Sequence, residues 1–146
     1  MRCITYGLGK IEKEKIEPIK NEVFIKPLGG LWTCPVNSTR SWKDWCIGNQ
    51  IFLDKLKTSC EFEVKEDNLY RINSGQDFLD LYQRFPNLTW PQDKYIKLLD
   101  FEAISKVYSG IWLTPQGLED NSLFTTGFFG WDCETILILN NDILTL

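Results

Sequence analysis

Trp131-Asp132-Cys133-Glu134-Thr135-Ile136-Leu137-Ile138-Leu139 is the stretch on which the reading of the fold turns. After Glu134 the chain runs apolar without alternation, so both sides of this segment must be covered, which predicts a strand buried on both faces. Such a strand needs neighbours in a sheet and packing layers on either side. Working outward, residues 2–6 alternate and read as a first strand ended by Gly7 and Gly9. Residues 31–34 follow a Gly29-Gly30 turn and are closed by Pro35. Residues 61–64 and 68–72 alternate with period two around a charged turn at 65–67, and residues 111–113 follow Gly110. Residues 23–26 read as a further short strand stopped by Pro27, and 143–146 as a last one after a turn at 140–142.

Helical signals are fewer. Ser41 is placed to cap a helix starting at Trp42, and Ser74 to cap one over 75–85 that Pro86 ends. Residues 99–107 read as another helix, 10–20 as a short helix or turn, and 86–94 as a loop. Residues 115–128 carry Gly, Asn and Thr and read as a mobile loop of functional length. Strands outnumber helices. The expected class is α+β, one domain over residues 1–146, with a mainly antiparallel sheet and a few helices.

Composition removes several chemistries. The chain has 146 residues, 5 cysteines and no histidine. The cysteines at 3, 34, 46, 60 and 133 include no CxxC pair, which speaks for reduced thiols and against a zinc site. Without histidine, Ser/His and Cys/His nucleophilic schemes are excluded. No P-loop or GxGxxG pattern occurs. The start of the chain has no secretory run, and its apolar stretches are too short to span a bilayer, so the expectation is a soluble cytoplasmic protein without a membrane partner. A net charge of -4 offers no general attraction to nucleic acid.

Carboxylates, hydroxyls and rings are left to carry any chemistry, and three segments offer them. If the last strand already begins at Asp132, then Asp132 and Glu134 share a face between bulky aromatics and an apolar run. Two such carboxylates repel, so one must find a partner or hold its proton. Alternatively Asp132 closes a turn and Glu134 is solvated. In the second segment Gly29 and Gly30 allow close approach of a ligand or of the chain's own backbone. Trp32 behind them either stacks on a planar ring or fills the core. In the third, Tyr6-Gly7 ends the first strand with a phenol that serves a ligand or simply the sheet edge.

The order of these segments resembles the small ADP-ribosyltransferase superfamily, especially compact phage and mobile-element members. Tyr6-Gly7 stands where that family has His-Gly or Arg-Gly, and Gly29-Gly30-Leu31-Trp32-Thr33 is similar to its glycine-leucine-aromatic strand with a hydroxyl. Tyr108-Ser109-Gly110-Ile111-Trp112 resembles its Tyr-Asp-Gly strand. Asp132-Cys133-Glu134 before an apolar strand resembles its acidic-x-Glu. The resemblance spans most of the chain, though each motif is short.

It implies a split-sheet fold and transfer of ADP-ribose from NAD, used as substrate without a metal, by a toxin or a phage or defence-type effector. Glu134 and Asp132 would be the catalytic pair, and Tyr6, Gly7, Gly29, Gly30, Trp32 and Thr33 would hold NAD. The acceptor would be a macromolecule, protein in preference to nucleic acid given the acidic chain, met by residues 115–128. Tyr6 departs from the family pattern because it carries no positive charge. A non-catalytic relative that binds an NAD-derived nucleotide or inhibits a partner protein is the alternative on the same fold. An unrelated α+β interaction module is the alternative outside it.

Overall fold

The apolar run at the end of the chain is an interior strand, third from one edge, of a seven-stranded sheet in the computed structural model. The structure describes the chain except residues 23–25, 90–95, 126–127 and 129, and gives only the backbone of 124 and 125. Among the described residues the strands are β1 (Arg2–Tyr6), β2 (Leu31–Pro35), β3 (Ser59–Val64), β4 (Leu69–Ile72), β5 (Gly110–Leu113), β6 (Thr135–Ile138) and β7 (Leu144–Thr145). Their order across the sheet is β4-β5-β6-β2-β1-β3-β7. Every pairing is antiparallel except β4 with β5. The chain is therefore α+β with a mainly antiparallel sheet.

Burial of β6 on both faces follows from its two neighbours and two cores. Leu137 and Ile111 pack with Phe78, Leu81, Phe128 and Trp131 in one apolar cluster. Ile136 and Ile138, which alternate to the other face, join Cys3, Leu31, Phe62 and Val64 in a second. Helix α2 (Gly75–Arg84) covers the first cluster through Phe78 and Leu81. Ser74 caps it, accepting from the Asp77 amide, and α1 (Trp42–Asn49) starts in the same way on Ser41.

Some elements differ from their sequence reading. The helix expected over 99–107 is a single turn, α3 (Phe101–Ile104), capped by Asp100. Residues 10–20, read as a short helix or turn, hold a 3-10 turn at Lys13–Lys15. The strand expected at 23–26 falls on residues of which 23–25 lie outside the described set, as do 90–94 of the expected loop. Residues 115–128 are not a free loop in their described part. Helix α4 (Pro115–Leu118) and a 3-10 turn (Asn121–Thr125) occupy it, and Leu118, Leu123 and Phe128 are buried in the first cluster. The cause is local: Thr114 accepts from the Gly117 amide, and Pro115 supplies a first helical residue whose missing N–H costs nothing.

The described cysteines are all free thiols, and four of the five are buried. Burial pushes the Cys3 thiol from 9.0 up to about 12, and Cys34 and Cys133 each up to about 11. A folded-state pKa above the unfolded one means that the unfolded chain loses its protons first as pH rises. Stability is then fully present below the unfolded value and is lost as pH climbs from about 9 toward 12. The expected slope is about 1.4 kcal/mol per pH unit for each thiol. Cys3→Ala should flatten the alkaline loss by about one such increment, read by urea unfolding at stepped pH.

Candidate functional site

The site begins where two strands stop sharing a backbone ladder. β1 and β2 are in register at Cys3 with Pro35 and Ile4 with Cys34. Beyond that point side chains take over. Thr5 Oγ1 donates to the Trp32 carbonyl at 2.9 Å, and Thr33 Oγ1 donates to the Ile4 carbonyl at 2.7 Å. Both threonines are buried. Meanwhile the first half of β2, Leu31 to Thr33, pairs with β6 instead. A cavity of about 440 Å³ lies here, lined by the end of β1, by β2 and by the segment entering β6. Its size suits a small organic ligand.

Glu134 is the unusual residue of this cavity. It is 4% exposed and lines the cavity wall. The strand starts at Thr135, where the apolar run begins, and not already at Asp132, so strand alternation does not set the facing of Asp132 and Glu134. The Glu134 amide instead donates to the Arg40 carbonyl at 2.8 Å, outside the sheet. Its carboxylate accepts one side-chain hydrogen bond among the described residues, from Trp112 Nε1 at 2.8 Å. No described cation forms an ion pair with it. A buried acid held by one neutral donor is a poor choice for stability. Asp132, by contrast, is exposed while still lining the cavity, so repulsion between the two carboxylates is screened by water.

Trp112 therefore fixes the carboxylate, a contact that the Tyr108–Trp112 motif does not by itself announce. It sits opposite Ile136 in the β5–β6 pairing, which brings its indole to the residue two before that partner. Its ring also carries the Arg71 guanidinium at 4.9 Å from the centroid. Trp112→Phe removes the donor and leaves the carboxylate unsatisfied. We expect this to lower stability by about 2 kcal/mol. With Glu134→Gln already in place the same change should cost clearly less, a coupling that a double-mutant cycle of urea midpoints would read.

Of the residues expected to hold a ligand, Tyr6, Gly30, Trp32 and Thr33 line this cavity with Asp132 and Glu134. Tyr6 is partly buried, which raises its phenol pKa, with Cys34, Asp44 and Glu61 adding to the rise. Trp32 packs on Trp131 at 5.0 Å, and the Lys26 ammonium stands 5.8 Å from the Trp32 ring. Thr33 spends its hydroxyl proton on Ile4, so it has only lone pairs left for a ligand.

Gly7 and Gly29 do not join Gly30 in lining the cavity. Gly7 does not line the cavity; its φ of +86° makes the turn out of β1, and its amide donates to Thr58 at 2.9 Å. Gly29 lines a neighbouring groove of about 720 Å³ that shares Gly30, Leu31 and Trp32 with the cavity. The missing Cβ of Gly29 makes room for the Pro18 carbonyl, and that of Gly30 for the Ile138 carbonyl. The close approach these two glycines permit is made by the chain's own backbone.

Further lining residues lay outside the sequence reading. Cys34 shares by alternation the face of Tyr6 and Trp32. Trp42 and Trp45 of α1, Phe52 and Lys55 after it, and Lys26 complete a wall of rings with two cations. The spacing of Trp42 and Trp45 was the available signal, since three residues along a helix place both rings on one side.

Comparison with protein-family models, with curated proteins and with solved structures finds no match for this chain. The reading of function therefore rests on the site. Among the described residues no helix is long and apolar enough to cross a membrane.

Proposed function

We propose that the chain transfers ADP-ribose from NAD to a macromolecular acceptor inside a cell, as an effector or toxin. One observation carries the reading: a buried carboxylate, Glu134, without a described cation partner, at the wall of a cavity that Tyr6 and Trp32 also line. Breaking the bond between the ribose C1′ and the nicotinamide nitrogen sends the bonding electrons to nicotinamide and leaves an oxocarbenium-like sugar. A carboxylate fixed beside that sugar stabilises the developing positive charge, the more so in a site poor in water. Glu134 does this through the ribose 2′-hydroxyl. Trp32 and Tyr6 offer ring faces to nicotinamide, and Thr33 offers an acceptor to a ribose hydroxyl. Asp132, solvated at the same cavity, takes the proton of the acceptor nucleophile as it attacks C1′.

A protein acceptor fits the net charge of -4 better than a phosphate backbone does. The test is incubation with NAD labelled in the ADP-ribose and with cell extract. Label should appear in macromolecules with the wild-type chain and vanish with Glu134→Gln.

Tyr6 favours a second reading. It is uncharged where the resembled family has His or Arg, so it brings no cation to the cavity. On that reading the chain holds an NAD-derived nucleotide without turning it over. Nucleotide binding with no nicotinamide release from either protein would select it.

A further inference from the structure

Among the described residues, two other than glycine have positive φ, Gln50 and Phe52. The first is accounted for. Gln50 closes α1 in the left-handed conformation, with the Ile51 amide bonded back to the Cys46 carbonyl at 3.2 Å. Phe52 has no such excuse. Its φ of 54° and ψ of 24° put a bulky residue where glycine belongs, and no side-chain cap accompanies it. The ring is also 53% exposed. Strain and exposure both count against Phe52 as a contributor to stability.

Its surroundings suggest what it serves. Phe52 lies nearly parallel to Trp42, with centroids 6.1 Å apart and planes at 23°, and Trp42 lies 6.0 Å from Tyr6. The three rings form a row along the cavity wall, and the exposed Phe52 is its outer end. Lys55 Nζ lies over the Phe52 ring, 5.3 Å from its centroid, and forms no ion pair among the described residues. An exposed ring with an ammonium over it and no carboxylate partner matches a base that stacks and a phosphate that draws the ammonium to itself.

The geometry points to Phe52 as a stacking clamp for the base of a nucleotide, with Lys55 facing the phosphate. Phe52 is thus held in strained backbone for binding. This rests on the cavity being a nucleotide site, as proposed above. The base is either that of NAD itself or one presented by an acceptor.

The test compares the wild-type chain with Phe52→Gly and Lys55→Gln in binding NAD, AMP, adenosine and a short single-stranded oligonucleotide. Phe52→Gly, freed of strain, should melt at or above the wild-type temperature yet bind the base-bearing ligands about tenfold more weakly. Lys55→Gln should weaken AMP more than adenosine. Weaker NAD and AMP assigns the ring to NAD; weaker oligonucleotide alone assigns it to the acceptor. Either result supports the clamp. Equal binding by Phe52→Gly, a fall in its melting temperature, or no binding by the wild type overturns it. Unchanged nicotinamide release by Phe52→Gly, with binding also unchanged, removes the clamp and spares the transferase reading. Base binding lost in Phe52→Gly, with no release by the wild type, does the reverse.

Discussion

Glu134→Gln is expected to slow nicotinamide release from NAD by about a hundredfold to a thousandfold while leaving the fold intact. The size follows from what one well-placed electrostatic group contributes to a transition state, about 2.7–4 kcal/mol. Gln keeps the shape and can still accept from Trp112 Nε1, but it brings no negative charge to the sugar. The second half of the expectation matters as much. A carboxylate that is 4% exposed and lacks a described cation partner is costly to bury, so its neutral isostere should melt at the same temperature or higher. Activity lost with stability kept separates a catalytic carboxylate from a structural one. The measurement is initial rate by chromatography of nicotinamide beside a thermal melt of the same preparation.

Gly29→Ala should have the largest effect on stability among the site substitutions, about 3 kcal/mol. Its φ of +75° costs a residue with a side chain about 1–2 kcal/mol. The added Cβ would also run into the Pro18 and Glu17 carbonyls, which are backbone and cannot swing away. Glu17 is further tied because its carbonyl accepts from the Gly30 amide at 2.8 Å, so relief of the clash breaks a hydrogen bond. A large drop in urea midpoint would show that the glycine pair serves the chain's own packing. Weakened NAD binding at unchanged midpoint would return Gly29 to the ligand.

The contrast between these two residues shows how far sequence reaches here. The strands read at 2–6, 31–34, 61–64, 68–72, 111–113 and 135–139 are legible, because their patterns are local. Ser41 and Ser74 were legible as caps for the same reason. Which strands are neighbours was not, since β6 enters between β5 and β2 through contacts distant in the chain. That is why Trp112, 22 residues before Glu134, reads in the sequence as part of a strand and not as the partner of the carboxylate. Gly29 reads in the sequence as room for a ligand or for another stretch of backbone, because glycine reports space and not its occupant. The helix at Pro115–Leu118 was missed where Thr114-Pro115 could have been read as a cap followed by a first-turn proline. Phe52 was invisible, since a left-handed backbone at a bulky residue leaves no trace in sequence.

Cutting the sugar–nicotinamide bond is the step proposed for this cavity, so free nicotinamide is the most direct thing to measure. With purified wild-type chain, NAD and cell extract, nicotinamide should accumulate with time, and with Glu134→Gln it should stay at the level of a protein-free control. Equal accumulation in both, or none with a wild-type chain shown to bind NAD, would contradict a catalytic role for this carboxylate.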